Sequence, residues 1–431
     1  MSVLAVDIGA SHVDLAWHDG RSVALVKHPR GGQGLAASVL AAVDACGRDP
    51  AGLAALRLAT TLPLNALLGG KRARVALVTS QGFADVLALG RQNRADLHDP
   101  VARHPLAVLG APLVAPGDVH CLTARADARG SVVAPVDPAA LSALVAGLRA
   151  DPPDAVAVSL VFGHLAPGLE HAVAEALRAA LPGVPVACGH QVDPQPREFE
   201  RTLATVIEAA LAPLLQGTLA RVMAGLAERG AHPRLLLADG AGALRPAEAM
   251  EGRLSALLEG GPAAAAALAA RHLPQGAGLV LDMGAASMDL VLVQAGRPVL
   301  ARYRTLAGLP LRRVGVDGES IALGGASVLA GGMRLDAVFA AVEAGEAGAA
   351  VRAAALDRAA RAVAAFCTAR ASLPIRNATT RPKSTTASPR PRPPTCCAPS
   401  SPSVALPTDE AFAPTMRTRQ EHALGGGAVL R

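Results

Sequence analysis

Two short segments, VDIGASHVD at residues 6–14 and LDMGAASMD at residues 281–289, decide the fold of this chain. In each, an apolar run that predicts a buried strand ends in Asp-x-Gly, passes through small residues and reaches a second Asp seven positions after the first. Another apolar run follows, so each segment predicts a strand, a tight turn and a second strand. We refer to the two turns as the first turn and the second turn.

Small residues in such a turn let backbone N–H groups approach an anion closely. A carboxylate at the end of the strand can hold a hydrated divalent cation. A single Asp-x-Gly is also typical of an ordinary β-turn, and that alternative stays open at this point. Two copies with the same internal spacing favour two lobes that face one nucleotide.

The composition predicts an aliphatic interior and no nucleic-acid partner. The 431 residues suffice for two or three domains, and 51% are hydrophobic, with one Trp, one Tyr and six Phe. Residues 370–431 carry nine Lys and Arg against three Asp and Glu, which equals the whole net charge of +6. The preceding residues balance at 32 against 32. A neutral body with few aromatic residues to stack on bases argues against nucleic-acid binding.

Cysteine usage and hydropathy predict a cytoplasmic protein with no membrane partner. The six cysteines form no C-x-x-C pair and have no histidine at metal-binding spacing, so neither a zinc site nor a disulfide framework is indicated. The N-terminus enters a strand without a segment of signal type, and no uncharged run reaches the ~18 residues of a membrane span.

Strand patterns alternate with helix patterns along the chain, which is typical of an α/β fold. Pro213 predicts a break or a kink in the longest helix. Nine prolines among the 34 residues 374–407 cannot accompany a buried core, so residues 370–431 are predicted to be a disordered tail. Predicted strands lie at residues 3–6, 13–18, 22–27, 56–61, 75–79, 155–161, 185–187, 235–238 and 279–281, and predicted helices at 34–46, 169–180, 198–228 and 262–271.

Four further segments resemble the hydantoinase A/5-oxoprolinase family. They are TTLPLNALL at residues 60–68, KRARVALVTSQGFADVL followed by GRQNR within residues 71–94, HQVDPQPREFERT at residues 190–202, and GGPAA at residues 260–264. The resemblance covers residues 3–322 and implies the two-lobed ASKHA-type α/β fold, the ribonuclease H-like fold of actin, hexokinase and heat-shock chaperone ATPases. It implies an N-terminal lobe at residues 1–165 and a second ATPase lobe at residues 166–369, followed by the tail.

The same resemblance implies an ATP- and Mg²⁺-dependent hydrolase subunit. Such a subunit phosphorylates the carbonyl oxygen of a cyclic amide, of the 5-oxoproline or hydantoin type, for ring opening. In two-subunit members a hydantoinase B-type subunit completes the reaction, so we expect a partner of that type beside the small-molecule substrate.

Asp7 and Asp282 are the predicted catalytic and metal-binding carboxylates, because Mg²⁺ near them would neutralise charge on the transferring phosphoryl group. Arg197 and Glu198 are further catalytic candidates, with a solvated ion-pair network that includes Arg201 as the alternative. For the second Asp of each turn, a carboxylate that only closes the turn is the alternative. The predicted nucleotide-binding residues are Gly9, Ala10, Ser11, Asp14, Gly284, Ala285, Ser287, Asp289, Gly315 and Gly318.

The turns depart from the family pattern, which has G-G-T first and G-G-T-S-T-D second. Here residues 9–11 are GAS and residues 284–289 are GAASMD. Alanine adds a methyl group where phosphate must approach, and the lost threonines remove hydroxyl donors. Two other functions therefore stay open: a non-catalytic scaffold or regulatory family member, and a short-form ATPase or kinase of a one-carbon or carboxylation pathway.

Overall fold

The computed structural model describes residues 1–32, 34–69, 72–92, 106, 109–285, 287–306, 309–321 and 324. All of them belong to one structural unit. The predicted disordered tail lies outside the described residues.

In chain order the described strands are β1 Ser2–Ile8, β2 His12–His18, β3 Val23–Pro29, β4 Leu53–Thr60, β5 Val75–Ser80, β6 Val119–Leu122, β7 Arg125–Ala126, β8 Val132–Ala134, β9 Ala155–Ser159, β10 Val186–Cys188, β11 Arg234–Ala238, β12 Leu244–Pro246, β13 Ala277–Met283, β14 Met288–Gln294, β15 Arg297–Pro298, β16 Leu300–Leu306, β17 Leu309–Val316 and β18 Gly318–Ile321. The α-helices are α1 Leu35–Ala45, α2 Leu62–Leu68, α3 Val86–Leu89, α4 Pro138–Ala150, α5 Pro167–Ala180, α6 Gly189–Val192, α7 Glu198–Ala227 and α8 Gly260–Ala269. Short 3₁₀ helices occupy Pro50–Gly52, Pro116–Asp118, Ala247–Met250, Leu254–Leu257 and Ala270–His272.

The largest sheet has six strands in the order β12-β11-β4-β1-β2-β3. Its central strand β1 pairs antiparallel with β2 and parallel with β4. Alternate residues of β1 and β2 point into the main core, where Leu4, Val6, Ile8 and Trp17 are buried. The first turn therefore starts from the middle of a packed sheet.

A second sheet, β10-β9-β5-β6, is parallel throughout. All residues of β5 and β9 are buried, as expected for parallel strands that are covered on both faces. The helix α7 contacts β9 and β5 as well as α1 and α2, so it joins the cores of the first two sheets.

The third sheet repeats the start of the first. Its strands β13 and β14 form an antiparallel hairpin, and β15 and β18 pair with β14. In β1–β2 the register places Asp7 opposite Asp14, and in β13–β14 it places Asp282 opposite Asp289. The helix α8 packs against this hairpin. The repeat seen in the sequence is therefore a repeat in the structure.

The helix α7 is long and apolar enough to cross a membrane by length and composition, but 61% of its most apolar window is buried inside the protein. It is the central helix of the core. The helix continues through Pro213 without a break, and a kink at this residue, the other possibility, stays a prediction. The ring of a proline removes one backbone hydrogen bond, and the packing of buried neighbours such as Leu211 and Leu215 holds the helix together there.

The α/β class and the predicted strands and helices are confirmed, with ends that shift by a few residues. The helix α4 was not predicted, although Asp137 caps it by accepting a hydrogen bond from Ala139 N at 3.0 Å. The predicted domain limits stay a prediction. The six-stranded sheet combines strands from both sides of residue 166, because β11 pairs with β4.

Candidate nucleotide site

A cavity of about 690 Å³ lies between the first turn and the second turn. It brings together most of the residues that the sequence assigned to catalysis, metal binding or nucleotide binding. Those that line it are Asp7, Gly9, Ala10, Ser11, Asp14, Asp282, Gly284, Ala285, Ser287, Asp289 and Gly318.

Each of the two turns is closed by an equivalent backbone hydrogen bond. Gly9 N donates to His12 O at 3.0 Å, and Gly284 N donates to Ser287 O at 2.9 Å. A Cβ added at Gly9 would lie only 3.2 Å from His12 O, so the tight first turn favours glycine there. At Gly284 the corresponding distance to Ser287 O is 3.6 Å, an ordinary contact. The first turn is thus the tighter of the two.

Burial and mutual repulsion raise the pKa values of the carboxylates in the cavity. The pKa of Asp7 is raised to about 6, mainly by burial and further by the nearby charges of Asp282 and Asp14, while Lys27 opposes the rise. Burial also raises the pKa of Asp282, with Asp14 adding to the effect.

The second Asp of the second turn behaves similarly. The pKa of Asp289 is raised to about 6, mainly by burial, with a hydrogen bond from Ser320 opposing the rise and the charges of Asp282 and Asp7 contributing to it. Carboxylates that repel one another in a cleft are candidates for a functional site, because a bound cation would relieve the repulsion.

The carboxylates fit a Mg²⁺ ion that takes its remaining ligands from elsewhere. Asp7 Oδ1 is buried and has no hydrogen-bond partner among the described residues. In that part of the chain, no group of three or more His, Cys, Asp or Glu side chains could hold a metal ion. Mg²⁺ commonly uses one or two carboxylates and completes its octahedron with water and substrate phosphates. Asp7 and Asp282 would supply the protein ligands, and their roles stay predictions.

Two further elements contribute residues that the sequence analysis did not assign to the site. Thr61 and Asn65, at the start of α2, line the cavity, and Asn65 Nδ2 donates to Thr61 Oγ1 at 3.3 Å. The N-terminus of α8 also reaches it: Pro262 lines the cavity, and a Cβ on Gly261 would lie 3.6 Å from Asp7 Oδ1. Both segments are among those that resemble the family, and this resemblance is the sequence signal that could have assigned these residues to the site.

Glu259 lines the cavity just before α8 and forms a buried ion pair with Arg304. Burial lowers the pKa of Arg304 to about 10. Gly315, a predicted nucleotide-binding residue, does not line the cavity. It packs against the Arg304 guanidinium, which leaves no room for a Cβ. The structure therefore places Gly315 beneath a buried arginine and not beside the turns.

Arg197 and Glu198 lie outside this cavity as well. With Gly90, Arg91 and Glu200 they line a separate cavity of about 440 Å³. Glu198 forms an ion pair with Arg201, whose side chain is completely buried, and accepts a hydrogen bond from Phe162 N at 3.2 Å.

The ion-pair network around Arg201 is therefore buried. The alternative interpretation from the sequence, a solvated network, is wrong for Arg201. Glu170, also completely buried, accepts from Arg201 Nη1 at 3.3 Å and from Leu160 N at 2.9 Å. His190 Nδ1 lies 2.8 Å from Glu170 Oε2. Paired and hydrogen-bonded in this way, the charges connect α5, α6 and α7 with the end of β9.

Comparisons with known proteins identify the family to which the chain is similar. The hydantoinase/oxoprolinase N-terminal region matches residues 3–181, and the hydantoinase/oxoprolinase domain matches residues 201–364. The caprolactamase subunit alpha of Pseudomonas jessenii is 33% identical over 347 residues, which are 75% of this chain and 48% of that protein. The acetophenone carboxylase gamma subunit of Aromatoleum aromaticum is 27% identical over 345 residues, which are 74% of this chain and 47% of that protein. The chain thus spans about half the length of the curated relatives it matches.

Two solved structures are similar to this chain in fold. The ATP-dependent caprolactamase from P. jessenii has a TM-score of 0.61 at 29% identity and covers 77% of this chain and 50% of that chain. A nucleotide-free acetone carboxylase has a TM-score of 0.65 at 22% identity, with coverage of 76% and 48%, and supports the fold alone. The predicted ASKHA-type α/β fold is confirmed. This chain belongs to the hydantoinase/oxoprolinase family.

Proposed function

We propose that this chain is an ATP- and Mg²⁺-dependent hydrolase subunit that phosphorylates the carbonyl oxygen of a cyclic amide of the 5-oxoproline or hydantoin type. One observation carries the proposal: two turns of equal spacing, each with a pair of carboxylates in the same register, line a single cavity. A relative named as an ATP-dependent caprolactamase supports a cyclic amide as the substrate class.

The residues of the cavity suit the binding of a nucleoside triphosphate. N–H groups of the turns donate to phosphate oxygens, and the N-terminus of α8 adds the positive end of its dipole. Asp7 and Asp282 would hold Mg²⁺, which would neutralise charge on the phosphates. Thr61 and Asn65 add a hydroxyl and an amide on the same wall.

Phosphorylation of the amide oxygen explains why ATP is used. An unstrained cyclic amide is stabilised by resonance, so water attacks it slowly. Conversion of its oxygen into a phosphate ester makes the carbon electrophilic and supplies a leaving group. We infer that a hydantoinase B-type subunit completes the ring opening and that the reaction takes place in the cytoplasm. The partner is supported by the names of the relatives, two of which are subunits.

Calorimetric titration of the full chain with ATP and Mg²⁺ tests the proposal. Binding with a dissociation constant in the micromolar to millimolar range is expected, together with a rise in the unfolding temperature. ATP hydrolysis is then measured with 5-oxoproline, hydantoin, caprolactam and acetone, with and without a B-type subunit. Stimulation by a cyclic amide supports the proposal, and the absence of both heat and thermal shift would refute it.

A non-catalytic regulatory role is the second candidate, and Glu319 favours it. Glu319 lines the cavity together with the aspartates, and an additional negative charge there opposes the approach of a phosphate. The regulatory hypothesis predicts weak or absent Mg²⁺-ATP binding and no hydrolysis with any substrate or B-type subunit. A short-form ATPase of a carboxylation pathway, suggested by the acetophenone carboxylase relative, predicts instead that hydrolysis depends on bicarbonate and a ketone.

A further inference from the structure

Arg30, which follows β3, holds the carbonyl groups of the first turn. Its Nη1 donates to Gly9 O at 2.9 Å and to Ala10 O at 2.8 Å. Its backbone N donates to Ser11 O at 2.8 Å. One residue thus binds three successive carbonyl oxygens of the turn.

These bonds determine which backbone groups of the turn remain for a ligand. Gly9 N is used by His12 O. The N–H groups of Ala10 and Ser11 have no hydrogen-bond partner among the described residues. Because the carbonyl oxygens, which would repel a phosphate, are tied to Arg30, the groups left over are donors.

The second turn has no such residue in the described part of the chain. Gly284 N donates to Ser287 O as in the first turn, but no described arginine or lysine donates to the carbonyl of Gly284 or Ala285. The second turn is therefore a natural internal control for any effect of Arg30.

We propose that Arg30 is a positioning residue that fixes the first turn with its N–H groups directed to the phosphates of a nucleotide. The inference rests on the proposed function for the identity of the ligand, but the restraint of the turn can be measured without one. Arg30 binds carbonyl oxygens of the turn and is not assigned a contact with the nucleotide.

The test compares wild type with Arg30→Ala, Arg30→Lys and the matched control Arg21→Ala. Arg21 is an exposed arginine in the adjacent β2–β3 turn, so its removal changes the net charge by the same amount. If Arg30→Ala does not yield folded protein, Arg30→Gln is used in its place, because glutamine keeps the packed part of the side chain. Mg²⁺-ATP affinity is measured by calorimetry, and amide hydrogen exchange is measured on peptides covering residues 9–13 and 284–288.

About tenfold weaker Mg²⁺-ATP binding is expected for Arg30→Ala, an intermediate value for Arg30→Lys, and no change for Arg21→Ala. Exchange at residues 9–13 should accelerate in Arg30→Ala while residues 284–288 stay unchanged. A merely structural role would accelerate exchange in both turns and lower the unfolding temperature without rescue by lysine.

Wild-type affinity in Arg30→Ala would overturn the inference. If wild type itself binds no Mg²⁺-ATP, the proposed function fails, and exchange alone decides about Arg30. Selective acceleration at residues 9–13 then supports the restraint, and unchanged exchange there rejects it.

Discussion

The hairpins β1–β2 and β13–β14 share a motif and a register but differ in their surroundings. Strand β1 lies between β2 and β4, and Ile8 O accepts hydrogen bonds from Thr61 N and Thr60 Oγ1, each at 3.3 Å. Strand β13 pairs with β14 and with no second strand among the described residues. The motif thus determines the local hairpin, and the neighbouring strands determine how firmly each turn is held.

Burial of equivalent positions shows the same difference. Val6 and Leu281 precede the first Asp of each motif, yet they are 3% and 51% exposed. Ile8 and Met283 follow that Asp and are 1% and 43% exposed. A side chain that is buried in one copy of the repeat is therefore half exposed in the other, and the two copies should respond differently to the same substitution.

The largest effect is expected for the carboxylates that the two copies have in common. Asp7→Ala and Asp282→Ala should each lower substrate-stimulated ATP hydrolysis by on the order of 10²-fold or more, because each removes a proposed Mg²⁺ ligand. Steady-state hydrolysis at several Mg²⁺ concentrations measures the effect. Glu248→Gln, at an exposed position, is the control. If one aspartate is dispensable, the two turns do not share a metal ion.

A stability difference is expected at the residue after each aspartate. Ile8→Ala should lower the free energy of unfolding by about 2–5 kcal/mol, since it leaves a cavity in the core. Met283→Ala should cost less than about 1 kcal/mol, because the side chain is already partly in water. Urea unfolding of both variants gives the comparison. Equal losses would show that β13 is covered as completely as β1.

The sequence predicted the repeat because its evidence is local. Asp7, Asp14, Asp282 and Asp289 follow from strand patterns that end in a tight turn, and their convergence follows from the two-lobed fold that the resemblance implied. Patterns of this kind require no knowledge of distant contacts.

Contacts between distant segments could not be predicted in the same way. Arg30 lies about 20 residues beyond the turn that it holds, and its role depends on the pairing of β2 with β3. Gly315 belongs to a motif-like segment but packs against the Arg304 guanidinium. The register of β16 and β17 pairs Gly315 with Ala301 and Arg304 with Leu311, so the long arginine side chain makes a contact that local sequence spacing does not predict. Arg197 and Glu198 lie shortly before Arg201, whose side chain is buried. The spacing of charged residues along a helix does not show which of them are buried.

A moderate effect of pH on stability is expected from both copies. The pKa values of Asp7 and Asp289 are raised from 3.8 to about 6 in the folded chain. Between about pH 4 and pH 6 the folded state therefore binds more protons than the unfolded state, and stability falls as the pH rises through this range. The expected loss in the absence of divalent cations is on the order of 3 kcal/mol for each group.

Urea unfolding between pH 4 and pH 7.5, with and without Mg²⁺, measures this dependence. Asp7→Asn and Asp289→Asn should each reduce the slope, and Mg²⁺ should restore stability above pH 6. A slope that is unchanged in Asp7→Asn would mean that the pKa of this carboxylate is not raised in the folded state.

The smallest effect is expected for Lys27, the only Lys or Arg among the described residues that line the cavity. Its Nζ lies 2.9 Å from Asp14 Oδ1, but the two side chains are 64% and 47% exposed. Lys27→Ala should therefore change the free energy of unfolding by less than about 1 kcal/mol. Because Lys27 belongs to the first copy alone, a loss of Mg²⁺-ATP affinity in Lys27→Ala that disappears at high salt would mean that charge contributes to the asymmetry of the turns. Unchanged affinity at low salt would leave backbone restraint as its cause.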